Sequence, residues 1–101
     1  MYSYVKPPGG SSPCEATGEI DETGQEFYFR LRGGKASLGI FQQGVSANCA
    51  PSTGELYRFF RADVRSAGSM ALEQADFLIA MWVKQHLSEY RAASNLRAAA
   101  V

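Results

Sequence analysis

The chain offers almost nothing from which a metal centre could be assembled. It has two cysteines, Cys14 and Cys49, and a single histidine, His86. The cysteines lack CxxC spacing, and a four-ligand zinc site would have to borrow from carboxylates. Neither cysteine has adjacent cations to depress its pKa, so two free thiols are expected in a reducing compartment. Net charge is missing as well, because ten Lys and Arg balance ten Asp and Glu. Overall charge therefore gives no drive toward nucleic acid, anionic membrane or acidic substrates, and any such binding must come from local clustering.

Long apolar runs are also lacking. The longest, Phe77 to Val83, is far short of the roughly 20 residues that span a bilayer. The first 14 residues hold no continuous apolar stretch of the signal-peptide kind, since Pro7-Pro8-Gly9-Gly10 interrupts them. These absences predict a cytoplasmic chain with no membrane contact. The glycine pairs at 9–10 and 33–34 fit neither GxGxxG nor GxxxxGK[ST], so no cofactor is implied.

What is present is enough for one modest core. An apolar fraction of 46% over 101 residues describes a single globular domain, expected over 15–101, preceded by an extended arm over 1–14. The arm is rich in Pro, Gly and Ser and carries Tyr2 and Tyr4, which are costly to leave in water and could anchor it on a neighbour.

From Ala16 to about Gln43 the pattern has period two. Phe27, Phe29 and Leu31 fall on one face, Tyr28, Arg30 and Arg32 on the other. Gly33-Gly34 suits a two-residue hairpin turn. That turn sets Leu31 opposite Ala36, Phe29 opposite Leu38 and Phe27 opposite Ile40, so every inward residue meets another. Ahead of it, a loop over 22–25 would set Ile20 opposite Phe27 and Gly18 opposite Phe29. A further short edge strand is expected over 45–50.

Residues 53–65 can be read two ways. Leu56-Tyr57-Arg58-Phe59-Phe60 has strand-like composition. As a helix, though, Leu56, Phe59, Phe60 and Val64 share one face while Arg58, Arg61 and Arg65 share the other. A strand would put an arginine among the apolar groups of each face. Ser52 with Glu55 also forms a capping-box signature, so the expectation is a short Arg-faced helix.

The last third, from Met70 to about Ala93, holds neither Gly nor Pro and contains the only Trp and His. It reads as a long helix capped by Ser69, with Glu73 and Asp76 near its positive end and a tail that can extend it. Leu72, Ala75, Ile79, Trp82, Val83, His86, Tyr90 and Ala93 form one apolar stripe, with Lys84, Gln85, Ser88 and Arg91 on the outer side. Phe77 and Met81 break the pattern by projecting among the polar residues.

The predicted fold is therefore α+β: an antiparallel meander of three to four strands, a short Arg-faced helix, and a long C-terminal helix on one sheet face. His86 is expected to be a buried structural residue, and no nucleophile–base–orienter set emerges, so an enzyme is not expected. The leading functional expectation is a small interaction or assembly protein: a subunit, adaptor or inhibitor, virus-encoded ones among them. It would bind a protein partner or itself through Phe77 and Met81, with Tyr2 and Tyr4 as further contacts. The alternative is a nucleic-acid or phosphate-binding module using Tyr28, Arg30, Arg32, Lys35, Arg58, Arg61 and Arg65.

Overall fold

The computed structural model describes residues 1–9, 14–32, 34–45, 56–64 and 72–99, with the side chains of 74–93 in the last segment. Among the described residues there are five strands, β1 (Tyr2–Gly9), β2 (Cys14–Ile20), β3 (Glu26–Arg32), β4 (Lys35–Phe41) and β5 (Leu56–Asp63), and then one helix, α1 (Leu72–Ala99). The strands form one antiparallel sheet in chain order, β1-β2-β3-β4-β5. This is an α+β fold with α1 on one face of the sheet. The sheet has two strands more than the lower expected count, one at each side of the expected meander.

The central hairpin has the register that the alternation predicts. Leu31 pairs with Ala36, Phe29 with Leu38 and Phe27 with Ile40, around Gly34 at φ 74°. Of these six residues, Phe27, Phe29, Leu38 and Ile40 are fully buried, Ala36 is buried with them and Leu31 is half-buried. At about 1.5–3 kcal/mol for each large apolar side chain removed from water, this patch is a main source of the fold's stability.

The β2–β3 register differs from the expected one by two residues: Gly18 faces Phe27 and Ala16 faces Phe29. Residues 21–25 connect the two strands, with Ile20 N donating to Gln25 O at 2.8 Å and Gly24 N donating to Ile20 O at 2.8 Å. Gly24 has φ 72°, a conformation glycine adopts without steric cost, and it lets the chain turn back toward β3. Gly18 then lies beneath the Phe27 ring. A Cβ there would come within 2.5 Å of both Phe27 Cζ and the Ser3 carbonyl oxygen, so only glycine lets the ring and β1 lie this close.

Residues 56–63 are a strand, not the expected Arg-faced helix. The helix expectation rested on the arginine pattern and the Ser52–Glu55 capping signature, and the strand provides a place for both Arg58 and Arg61. Arg58 reaches the helix side, where its guanidinium lies 4.8 Å from the Phe60 ring centroid and pairs with Glu89. Arg61 alternates to the opposite, open face and is exposed. A register irregularity between Ile40 and Phe41 lets Tyr57 also contact helix residues, with its ring centroid 5.5 Å from His86 and 5.9 Å from Tyr90. The expected edge strand over 45–50 lies, apart from Val45, outside the described residues, as do Ser52, Ser69, Cys49 and Arg65.

Along α1, Ala75, Ile79, Trp82, Val83, His86 and Leu87 are buried, which follows the expected stripe. Leu87 joins it, while Tyr90 is only half-buried and Ala93 is exposed. Trp82 stacks on Phe60 with centroids 5.8 Å apart and planes at 17°, and it also contacts Phe29. The helical backbone continues through the tail to Ala99. Its 28 residues span about 42 Å. The strands, at 7 or 8 residues, span roughly 25 Å, so the helix is much longer than the sheet it covers. Among the described residues no helix is long and apolar enough to cross a membrane.

Candidate functional site

The surface the sequence singles out on α1 is present. Phe77 is 66% exposed and Met81 43% exposed, one turn apart on the side of the helix away from the sheet. Residues 56–63, which as a helix could have crossed over them, lie in the sheet instead. Among the described residues, nothing covers the pair.

Tyr2 and Tyr4 are placed differently from an arm reaching toward a neighbour. Both are half-buried and pack edge-on against Phe27, at 5.6 and 6.3 Å between centroids. The Tyr4 hydroxyl donates to Asp76 of α1. Burial, together with that carboxylate, raises the Tyr4 pKa far above the ordinary phenol value. The two tyrosines bind β1 to the chain's own helix and sheet.

The basic-aromatic residues are divided by the strand geometry. Tyr28, Arg30, Arg32 and Lys35 lie on the sheet face away from α1, and Arg61 joins them there, while Arg58 is committed to the helix side. Across the open face, Tyr28, Gly39 and Phe59 form one row, and Arg30, Ser37 and Arg61 form the next. Glu15 sits directly opposite Arg30, and it accepts a hydrogen bond from Tyr28. Burial and that acceptor raise the Tyr28 pKa.

His86 is the polar centre of the buried stripe. Gln25, itself buried, donates from Nε2 to the Phe41 carbonyl at 3.2 Å and so turns its Oε1 toward His86 Nε2, 2.8 Å away. An amide oxygen can only accept, so the histidine carries its proton on Nε2. Burial, aided by nearby Arg58 and opposed by Glu89, lowers the His86 pKa and keeps the ring neutral. This links the β2–β3 turn, the end of β4 and α1 through one amide. Burial likewise raises the Cys14 thiol pKa, which leaves it protonated and unreactive. Among the described residues no group of three His, Cys, Asp or Glu side chains could hold a metal ion.

Sequence reading missed two exposed aromatics, Tyr57 at 49% and Phe59 at 50%, because both were assigned to a helix. The signal was there. Phe59, Arg61 and Asp63 alternate with Phe60 and Ala62, and that period-two pattern is the strand's. The described residues also leave β5 at an edge of the sheet with no further strand beside it. Comparison of the chain with protein-family models, with curated proteins and with solved structures finds no match.

Proposed function

We propose that this chain is a small, non-enzymatic interaction or assembly protein, whose contact surface is centred on Phe77 and Met81. The observation that supports this reading most is the exposure of a Phe/Met pair on a rigid helix that no described element covers. Aromatic side chains on preorganised helices bury large areas at little entropic cost, which suits an interface anchor. His86 fits this reading, since its ring is enclosed and its Nε2 is engaged by Gln25 rather than open to a substrate.

A photo-crosslinking phenylalanine analogue at position 77 tests this directly. A single defined adduct, with a protein partner or with a second copy, is expected, and Met81→Asp should abolish it. An analogue that captures nothing above the level of one placed at exposed Ser88 would remove the reading.

A second reading is favoured by the open sheet face. There the Tyr28–Gly39–Phe59 row lies beside the Arg30–Ser37–Arg61 row, an arrangement able to stack unpaired bases near phosphate-binding groups. Glu15 opposite Arg30 weakens it by supplying a carboxylate where a phosphate would approach. Binding of a single-stranded oligonucleotide that falls steeply with salt, and is lost in Phe59→Ala, would move preference to this reading.

A further inference from the structure

The geometry points to a second copy of this chain as the partner of the β5 edge, pairing antiparallel across a two-fold axis at Ala62. It goes beyond the helix-surface reading, because it names another surface and a specific occupant. The argument starts from which backbone groups are free. Val64 N donates to Gly34 O at 2.7 Å, in register with the Ala36–Ala62 and Leu38–Phe60 pairs. Backbone polar groups alternate sides along an antiparallel strand. Phe60, Ala62 and Val64 therefore turn theirs to β4, and Phe59, Arg61 and Asp63 turn theirs to the free edge. Of the devices that blunt an edge, β5 has an inward charge, Arg58, and a bulge, but both lie at its start, and neither proline nor bulge interrupts 59–63.

Self-pairing along this edge must set odd residues opposite odd ones, since facing residues share a sheet face. With the axis inside the regular run 59–63, five registers remain, and charge distinguishes them. Centred on Arg61, the strand sets Arg61 against Arg61. Centred on Asp63, it sets Asp63 against Asp63. Centred on Phe59 or Phe60, it opposes no opposite charges. Centred on Ala62, it sets Arg61 of each copy opposite Asp63 of the other, twice. Both side chains are exposed, and among the described residues neither has an ion-pair partner of its own. The same register puts the small Ala62 side chains together at the axis and Phe60 against Val64 on the helix side. The result is a continuous ten-stranded sheet with both helices on one face.

The test is a charge swap read by sedimentation equilibrium, with thermal unfolding confirming that each variant folds. The wild-type chain is expected to dimerise. Arg61→Asp and Asp63→Arg should each weaken the dimer about tenfold or more, because each converts two attractive pairs to repulsive ones. The double variant should return to within about threefold of wild type. Hydrogen exchange on the unmodified chain gives an independent readout: the Phe59, Arg61 and Asp63 amides should become protected as concentration rises. A wild-type chain that stays monomeric to about 1 mM overturns the proposal. So does a dimer indifferent to the single variants, or a double variant that fails to recover. The helix-surface reading is judged separately by the crosslink at position 77, which the charge swap leaves in place.

Discussion

The two edges of the sheet are built differently. At β1 the pairing to β2 shifts register twice, between Tyr4 and Lys6 and between Lys6 and Gly9, and Pro7 and Pro8 supply no N–H. Prolines and bulges of this kind make an edge a poor template for another strand. At β5 the pairing is regular from Arg58 to Asp63, with its one irregularity confined to the strand's start. Tyr2 and Tyr4 tie β1 down over the Phe27 ring, whereas β5 keeps Phe59 half-exposed. Among the described residues, the sheet is thus closed to pairing on one side by backbone chemistry and left open on the other.

The contrast can be broken from either side. The largest effect is expected for Trp82→Ala, which removes the ring stacked on Phe60 and touching Phe29. Denaturant unfolding should show a loss of about 4 kcal/mol. Amides of β4 and β5 should then exchange faster, relative to wild type, than those of β1. Gly18→Ala attacks the opposite edge. Its Cβ would press on the Phe27 ring and the Ser3 carbonyl, so about 2 kcal/mol of stability should be lost, with β1 amides the most affected. Tyr4→Phe is gentler. It removes only the hydroxyl that donates to Asp76, on a half-exposed side chain, and should cost about 1 kcal/mol or less by the same measurement.

The smallest change comes from acid and concerns the helix between the two edges. His86 has a folded pKa below its ordinary value, because its buried site disfavours the charged ring. Its contribution is therefore complete above the unfolded pKa, near 6.5, and is lost as pH falls toward the folded pKa. The melting temperature should drop between pH 7 and pH 5, and His86→Gln should flatten that part of the profile. A profile unchanged by His86→Gln would mean that another group titrates there.

How legible the chain was depended on how local the controlling physics is. The β3–β4 hairpin could be read in full, since the Gly33-Gly34 turn and the Phe27/Phe29/Leu31 alternation each imply the same register. The helix was equally plain, because its stripe repeats over six turns and no breaker interrupts it. Phe77 and Met81 were correctly singled out as departures from that stripe. The β2–β3 register was misplaced by two residues, since alternation identifies a face but not a position along it. The close fit of Phe27 over Gly18 became visible only in three dimensions. Residues 56–63 were misassigned because local pattern penalised arginine in a strand, while the carboxylate that pairs with Arg58, Glu89, came from α1, far along the chain.

By itself, then, the sequence determined the α+β class, the hairpin's register, the helix and its inward face. Each follows from periodicity and turn chemistry within a few residues. Only the tertiary structure decided that Tyr2–Gly9 and Leu56–Asp63 close the sheet as its two edge strands. Strand pairing satisfies backbone groups across long sequence separations, and Arg58 becomes acceptable in β5 only once α1 brings Glu89 beside it.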